Sequence, residues 1–368
     1  MFYTFLYPYH QSLSLLNVLR YPSFRIVMAA LTAGLIAFLF YPLFIRKLKA
    51  LSFGQEVRDD GPQTHLKKQG TPTMGGLLLL IAIVCSCLLW GDLTHIGLWL
   101  LLYVSVGYGF IGFIDDFRKI KKSNTKGLSA RAKLFWQVAI GLSALLIYSL
   151  NNPSMPFSSA LSIPFVATDK FLLVLPSAVF ILFALFIIVA TSNGVNLTDG
   201  LDGLAIGPVI NSAFVFLILA YLAGTTIGDF NIADYLKIIR VDGAAELSVF
   251  CGAVIGAGIG FLWYNTYPAA IFMGDVGSLA LGGALGMLAI LTKNELISAL
   301  LHGVFFMETV SVMLQVGSFK IRKKRIFKMA PLHHHFELLG WAEPKIIVRF
   351  WIISGLCAVL TLLSLKLR

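Results

Sequence analysis

The amino-acid sequence predicts an all-α integral membrane protein with about ten transmembrane helices. Of its 368 residues, 58% are hydrophobic and only 13% are charged, whereas about 25% of the residues of a typical soluble domain are charged. The apolar residues also fall in long runs, many of them close to the roughly 20 residues that cross a bilayer as a helix. No stretch between these runs is long enough for a sizeable independent domain. Residues 1–368 are therefore expected to form a single polytopic membrane domain.

Ten apolar stretches are candidates for membrane spans. The first is expected to be retained as a span, because the residues before it lack the basic start and the cleavage site of a signal peptide. The ninth is unusual because it contains His302 and Glu308. The ten stretches are residues 24–45, 73–91, 96–114, 132–150, 171–190, 205–223, 246–263, 270–292, 296–318 and 346–366.

The basic residues predict the orientation of these spans. Twenty of the 29 Lys and Arg residues lie in residues 46–72, 115–133 and 319–345. Ten spans would place these segments on one side, together with short loops near 191–204 and 264–269. Because cytoplasmic loops carry an excess of Lys and Arg, five loops are expected in the cytoplasm and both termini in the periplasm. Topology thus accounts for the net charge of +11, and no nucleic-acid partner is expected.

Five aspartates stand at the ends of apolar runs on the predicted cytoplasmic side: Asp115, Asp116, Asp199, Asp202 and Asp275. An unpaired charge at such a position is costly. Adjacent carboxylates raise each other's proton affinity unless a cation lies between them. The simple interpretation of the pair at 115–116 is two hydrated interface charges. The alternative is a metal-binding or acid–base role.

Polar residues recur every third position after the fifth apolar run, at Asn193, Asn196, Asp199 and Asp202. If this stretch is helical, that spacing places them along one face. Helix capping would explain one or two of them but not all four. Asp275 lies between two glycines near the start of the eighth run, where a carboxylate could hold a hard cation such as Mg²⁺ together with substrate phosphates.

The last predicted cytoplasmic loop joins a basic run, residues 320–328, to His333, His334 and His335. The basic run is explained by contact with anionic lipid headgroups. Consecutive side chains diverge, so one metal ion would rarely bind all three imidazoles, and we expect them to hydrogen-bond a polar substrate. In the first loop, Lys68 precedes a glycine-containing turn and suits a phosphate contact, although membrane topology explains this lysine almost as well.

Five motifs occur in a fixed order along the chain. They are GTPTMGG at 70–76, the aspartate pair at 115–116, NxxDGxDGL at 196–204, NxxxxxxxMGDxGS at 265–278 and PLHHHFE at 331–337. This series resembles the polyprenyl-phosphate N-acetylhexosamine-1-phosphate transferases. The histidine run and the GTPTMGG segment make it most similar to their phospho-N-acetylmuramoyl-pentapeptide-transferase family, which acts in bacterial cell-wall synthesis.

The resemblance implies a reaction and a cellular setting. Undecaprenyl phosphate would attack the β-phosphate of UDP-N-acetylmuramoyl-pentapeptide and give lipid I and UMP, with Mg²⁺ as the required cofactor. The protein would be a homodimer in the bacterial cytoplasmic (inner) membrane, with its active site in a cleft on the cytoplasmic side. The attack could be direct or could pass through a covalent phospho-aspartate. We favour direct attack, because a lipid phosphate, with a second pKa of about 6, is already mostly ionised near neutral pH.

The resemblance also implies roles for individual residues. Asp115, Asp116 and Asp275 would be catalytic, with Asp275 as the main Mg²⁺ ligand. Phe272 would stack on uracil, and Lys126 and Lys133 are weaker candidates for phosphate contacts. The residues implied in substrate binding are Lys68, Asn196, Asp199, Asp202, Asn265, Phe272, His333, His334 and His335.

Three alternative functions fit the sequence less well. A sibling enzyme that uses UDP-N-acetylglucosamine would share the aspartate motifs, but the histidine run argues against it. A transporter would place its polar site near the bilayer midplane, whereas here the aspartates lie at one face and Glu308, near His302, is the exception. A purely structural membrane protein would gain nothing from five interfacial aspartates.

Overall fold

The computed structural model describes residues 1–51, 70–121, 127–150, 152 and 154–367. Within these residues the chain is mostly helical with very little sheet, which confirms the predicted all-α class. Short helical turns between Phe2 and Arg20 precede the first long helix. The α-helices are α1 Pro22–Ala50, α2 Gly76–Trp90, α3 Ile96–Lys121, α4 Ala130–Ser149, α5 Ser177–Thr198, α6 Ile206–Gly224, α7 Ile232–Leu236, α8 Leu247–Asn265, α9 Gly274–Leu291, α10 Glu295–Leu301, α11 Gly303–Arg322, α12 Leu332–Leu338 and α13 Glu343–Leu363.

Two small antiparallel hairpins lie between the helices. In one, β1 (Ala160–Leu161) pairs with β2 (Leu173–Val174). In the other, β3 (Thr226–Ile227) pairs with β4 (Phe230–Asn231). Each strand is only two residues long, so the hairpins close loops between helices and contribute no sheet layer.

Nine helices in the described part of the chain are long and apolar enough to cross a membrane, and α2 is an apolar helix of 15 residues. Together they correspond to the ten predicted spans. The predicted ninth span, 296–318, is divided into α10 and α11, which meet at His302.

The predicted loop at 191–204 also differs, because α5 continues to Thr198. Asn193 Nδ2 donates to Gln137 Oε1 of α4 at 3.0 Å, and Asn196 is likewise bonded within the bundle. Because other helices supply partners for these polar groups, α5 does not end where its apolar run ends.

The ninth helix forms the centre of the bundle, and every residue from Val276 to Leu291 is buried. Glycines let its first turn approach its neighbours closely. A Cβ at Gly112 of α3 would lie 2.2 Å from the Asp275 carbonyl oxygen. A Cβ at Gly76 of α2 would lie 2.2 Å from the Gly277 backbone. Contacts this short fix the start of α9 against α2 and α3.

Both termini lie at the end of the bundle opposite to the start of α9. The Met1 ammonium group donates to the Leu89 carbonyl oxygen, at the far end of α2, at 3.1 Å. The last helix, α13, begins beside the loop after α5, where Glu343 accepts the Asp202 N–H. It runs to the other end, where the Lys366 ammonium lies 5.1 Å from the Tyr235 ring centroid.

The contact between α1 and α8 provides a test of this packing. A Cβ at Gly256 would lie 1.9 Å from the Ala30 carbonyl oxygen, which is backbone and cannot move alone. We expect Gly256→Ala to lower the free energy of unfolding by about 1–3 kcal/mol, the usual cost of overpacking a core. Thermal unfolding in detergent should show this loss as a lower unfolding temperature.

Gly355→Ala in α13 is the matched control, because no heavy atom lies within 4 Å of the added Cβ. Alanine is the better helix former, so this variant should unfold at or slightly above the wild-type temperature. Equal unfolding temperatures for the two variants would contradict the described contact between α1 and α8.

Candidate active site

Three carboxylates converge where α3 ends and α9 begins. Asp115 and Asp116 lie near the end of α3, and Asp275 lies in the first turn of α9. One oxygen atom from each of the three lies within 4.8 Å of the others. Asp115 and Asp116 are only 1% and 4% exposed. We call these three residues the carboxylate cluster. Like charges so close together require cations nearby.

Two lysines supply positive charge to the carboxylate cluster. Lys119 Nζ lies 2.5 Å from Asp115 Oδ2 and 3.3 Å from Asp275 Oδ2. Lys133 Nζ, from the first turns of α4, lies 2.7 Å from Asp275 Oδ2 and 3.3 Å from Asp115 Oδ2. With the carboxyl groups ionised, two ammonium groups leave one uncompensated negative charge. In that state the site can accept further positive charge.

Backbone N–H groups orient the two carboxylates of α3. The Leu128 N–H donates to Asp115 Oδ1 at 2.6 Å, and the Val276 N–H donates to Asp116 Oδ2 at 3.3 Å. Asp116 therefore bonds to the start of α9, next to Asp275. Each hydrogen bond stabilises a charged acceptor and reduces its freedom to rotate.

Asn196 of α5 completes the support of the carboxylate cluster. Its Nδ2 donates to Asp275 Oδ1 at 2.9 Å and to Ser278 Oγ at 2.8 Å. Ser278 in turn donates to the Gly274 carbonyl oxygen at 3.0 Å. The side chain of Asp275 is thus held by a neutral amide on one oxygen and by lysines on the other.

The residues of the carboxylate cluster suit a divalent cation. Mg²⁺ prefers carboxylate oxygens and keeps open positions for water or substrate phosphates. The cluster offers three such oxygens within 4.8 Å of one another. The lysine ammonium groups that now contact these oxygens carry charge of the same sign as a metal ion, so the same geometry serves either cation.

Asp199 follows the last residue of α5 and lies near the carboxylate cluster. Burial, and then the negative charges of Asp275, Asp116 and Asp202, raise the pKa of Asp199 well above its usual range. A carboxyl group that keeps its proton can donate one hydrogen bond as well as accept others. Asp199 is thus suited to a ligand that offers an acceptor.

Asp202 and Asn265 secure the loop that precedes α9. The Ala269 N–H donates to Asp202 Oδ2 at 2.9 Å, and Asn265 Nδ2 donates to the Ile271 carbonyl oxygen at 2.9 Å. Both residues are about 3% exposed. The structure therefore gives them internal hydrogen bonds that hold the segment leading to Phe272, the residue implied in stacking.

The segment before α2 supports the same loop. The Phe272 N–H donates to the Pro72 carbonyl oxygen at 2.9 Å, and the Gly75 N–H donates to the Phe272 carbonyl oxygen at 2.8 Å. The Phe272 side chain is partly exposed. The GTPTMGG motif and the MGDxGS motif are thus adjacent in space. Lys68 and Lys126, both predicted to contact phosphate, lie outside the described residues.

The three consecutive histidines face three different partners. His333 Nδ1 lies 3.1 Å from Glu308 Oε1, and His334 Nδ1 lies 2.7 Å from Glu337 Oε2. His335 Nδ1 accepts the Lys328 N–H at 3.1 Å. The imidazoles diverge as expected for neighbouring residues. His333 is 1% exposed, whereas the other two are partly exposed.

Two residues of this region were not assigned from the sequence. Lys119 follows Asp115 by four positions, so helical spacing alone could have placed its ammonium beside that carboxylate. The sequence shows Glu308 as an intramembrane acid near His302, but its partner in the structure is His333. A partner 25 residues away leaves no local signal in the sequence.

Comparison of the chain with known proteins points to the same family that its five sequence motifs resemble. A family model described as glycosyl transferase family 4 matches residues 98–293. A second model, phospho-N-acetylmuramoyl-pentapeptide-transferase signature 1, matches residues 68–80. Proteins named phospho-N-acetylmuramoyl-pentapeptide-transferase align over the full length of both chains, with 56% identity for Sorangium cellulosum (strain So ce56), 56% for Anaeromyxobacter sp. (strain Fw109-5) and 55% for Syntrophus aciditrophicus (strain SB).

The chain belongs to the phospho-N-acetylmuramoyl-pentapeptide-transferase family. The glycosyl transferase family 4 match, residues 98–293, contains the whole carboxylate cluster together with Lys119 and Lys133. The signature match, residues 68–80, contains the GTPTMGG segment that supports Phe272. The two family-model matches therefore include the parts of the chain that build the site.

The balance of charge in the carboxylate cluster gives a testable consequence. In Lys133→Met, three carboxylates would share the single ammonium group of Lys119. We expect this variant to unfold at a lower temperature than the wild type when divalent cations are chelated. Added Mg²⁺ should raise its unfolding temperature more than that of the wild type, because the more negative site binds a cation more tightly.

Lys320→Met is the matched control, since Lys320 is exposed at the end of α11. It removes the same charge from the same end of the bundle. A Mg²⁺-induced shift that is equal in Lys133→Met, Lys320→Met and the wild type would show that the carboxylate cluster does not bind the ion.

Proposed function

We propose that this protein transfers phospho-N-acetylmuramoyl-pentapeptide from UDP to undecaprenyl phosphate, forming lipid I and UMP. The observation that carries the proposal is the convergence of three carboxylates and two lysines at one end of a membrane-spanning bundle, in a chain of this family. A lipid substrate and a water-soluble nucleotide can meet only at a membrane surface. The carboxylate cluster stands where the ends of several spanning helices meet.

The reaction must bring together two strongly negative groups. One is the phosphate of the lipid, and the other is the diphosphate of the nucleotide. Catalysis of phosphoryl transfer consists largely of positioning and charge stabilisation. Lys119 and Lys133 supply two ammonium groups within reach of the carboxylates. When substrates bind, these ammonium groups can exchange carboxylate oxygens for phosphate oxygens without leaving the site.

We infer that Mg²⁺ is the cofactor. Asp275 would be its main ligand, with Asp115 and Asp116 as further oxygen donors. When bound, Mg²⁺ would offset the charge of the diphosphate and polarise its phosphoryl oxygens. Asn196 would keep Asp275 oriented through its hydrogen bond to Oδ1.

In the proposed step, an oxygen of undecaprenyl phosphate forms a bond to the β-phosphorus of the nucleotide sugar. The bond between that phosphorus and the oxygen bridging to the α-phosphate breaks, and UMP leaves with the electron pair. Both Asp115 oxygens are already engaged, one by the Leu128 N–H and one by lysines. This engagement supports an orienting role for Asp115 and favours direct attack over a phospho-aspartate intermediate.

The remaining residues would bind the nucleotide sugar. Phe272 would stack on uracil, and Asp199 would offer a hydrogen bond. Asp202 and Asn265 would act by holding the Phe272 segment, in keeping with their internal hydrogen bonds. His334 and His335 would contact the sugar or the phosphates, and the buried His333 would support them. Lys68 would contact uridine or phosphate.

We infer that the site faces the cytoplasm of a bacterial inner membrane and that both termini face the periplasm. The excess of Lys and Arg near the carboxylate cluster supports this orientation, as does the position of both termini at the opposite end of the bundle. The cytoplasm is also where a UDP-linked precursor would be available. We further propose that the protein works as a homodimer, as the resemblance implies.

The direct test is release of UMP by the purified protein in detergent with undecaprenyl phosphate and Mg²⁺. One reaction receives UDP-N-acetylmuramoyl-pentapeptide and the other UDP-N-acetylglucosamine. We expect release that depends on lipid and Mg²⁺ with the first donor only. Release with the second donor only would assign the sibling reaction, and a folded sample without release would reopen the transporter alternative.

Asp275→Asn should reduce UMP release by at least about a thousandfold, because it removes a negative charge from the centre of the site without changing the side-chain size. The control is Asp242→Asn, since Asp242 is exposed and pairs with Arg240, two positions before it in the sequence. Both variants should insert in the membrane and elute as monodisperse samples. Near wild-type turnover in Asp275→Asn would contradict the proposed metal role.

A further inference from the structure

Glu308 is a fully buried carboxylate within the membrane-spanning helix α11. The proposed transfer step does not use it. His302 lies six positions before Glu308 in the sequence but is not the partner of Glu308. The His302 ring packs instead against Phe216 and Phe305, with centroid distances of 5.7 and 5.9 Å. A charged group in such a segment persists only with specific partners.

The partners of Glu308 come from the start of α12. The Leu332 N–H donates to Oε2 at 2.6 Å, and the His333 N–H donates to Oε1 at 3.2 Å. His333 Nδ1 lies 3.1 Å from the same Oε1. One buried carboxylate thus receives two backbone donors and one imidazole nitrogen from a segment that lies 24–25 positions further along the chain.

These contacts determine how the imidazole of His333 is oriented. Both Glu308 oxygens accept backbone N–H groups, so the carboxylate acts as an acceptor and we assign the hydrogen of this contact to Nδ1. Nε2 is then at the opposite edge of the ring, directed at the turn after α5. A Cβ at Gly200 would lie only 2.2 Å from Nε2. The ring therefore lies directly against the backbone of Gly200.

Gly200 is adjacent to Asp199, which stands beside the carboxylate cluster and shares its negative field. His333 is 1% exposed, so it does not present itself to solvent. Its ring instead fills the space between α11 and the Asp199–Gly200 turn. Any movement of the ring would change the position of that turn, and Glu308 holds the ring.

We propose that Glu308 is a positioning residue that acts through His333 to set the Asp199–Gly200 turn and thereby the affinity for the uridine nucleotide. This inference rests on the proposed function, in which that turn binds the nucleotide. Glu308 touches neither the carboxylate cluster nor the lysines, so it is not a catalytic residue. It should affect binding of one substrate and leave the other substrate and the chemical step nearly unchanged.

The test compares steady-state kinetics of wild type, Glu308→Ala, His333→Ala and the double variant. In Glu308→Ala the KM for UDP-N-acetylmuramoyl-pentapeptide should rise roughly tenfold or more, the scale of a lost hydrogen bond to a buried charge. The KM for undecaprenyl phosphate and kcat should stay within about threefold of wild type. Because Glu308 acts through His333, the double variant should be no worse than His333→Ala alone.

Two further variants keep the test decisive. Glu308→Gln preserves shape, but its amide nitrogen must face one of the donors now bound by a carboxylate oxygen. Glu308→Gln should raise the KM for UDP-N-acetylmuramoyl-pentapeptide by a smaller factor than Glu308→Ala. If the alanine variant does not fold, the kinetics of Glu308→Gln test the proposal instead. Ser311→Ala is the control, because Ser311 is buried one turn away and donates only to the Glu308 carbonyl oxygen. It should match the wild type.

Three outcomes would overturn the inference. They are a nucleotide KM within about twofold of wild type in both folded Glu308 variants, an equal change in the two substrate KM values, and effects of Glu308→Ala and His333→Ala that multiply in the double variant. All three require an active wild type. An inactive wild type would instead refute the proposed function, so the two failures can be told apart.

Discussion

Three carboxylates, two of them buried and the third partly buried, lie within 4.8 Å of one another, and this concentration of negative charge is the constraint on which the rest of the site depends. Such a group is stable only if cations and hydrogen-bond donors surround it. The chain supplies them from four helices and a loop. Lys119 comes from α3 and Lys133 from α4, while Asn196 comes from α5 and a backbone N–H comes from α9. The helix ends are therefore fixed by electrostatics as well as by apolar packing.

The same constraint explains why α9 is packed so closely. Asp275 can face Asp115 and Asp116 only if the start of α9 lies against α3. Gly112 makes this possible, because any side chain there would overlap the Asp275 backbone. In a bilayer the hydrophobic effect does little to press helices together, and small residues at interfaces do this through close van der Waals contact. The carboxylate cluster therefore depends on the glycine that lets α3 and α9 approach each other.

Much of this architecture could be predicted from the sequence. Hydropathy gave ten apolar segments, and charge asymmetry separated the basic loops from the others. The spacing of Asp115 and Lys119 places them on one helix face, although this pair was not assigned. The break at His302 was not predicted, because the single glycine that follows it, Gly303, is only a weak signal inside an apolar helical pattern. The extension of α5 depends on partners for Asn193 and Asn196 that other helices provide.

For the three consecutive histidines, only part of the arrangement could be predicted from the sequence. Divergence of neighbouring side chains was predictable from backbone geometry, and the three imidazoles do bond to different groups. Which of them is buried was not predictable. That depends on Glu308, whose carboxylate meets His333 only after α11 and α12 pack together. Long-range pairs of this kind require the three-dimensional structure.

The carboxylate cluster is expected to bind a divalent cation. Mn²⁺ can replace Mg²⁺ as an oxygen-bound ion, and its electron paramagnetic resonance signal reports binding to the purified wild type and to Asp275→Asn. The account predicts saturable binding to the wild type that weakens by at least about tenfold in the variant. Addition of UDP-N-acetylmuramoyl-pentapeptide should change the spectrum of the wild type only. Equal Mn²⁺ affinity in the two proteins would contradict the account, since the ion would then lie elsewhere.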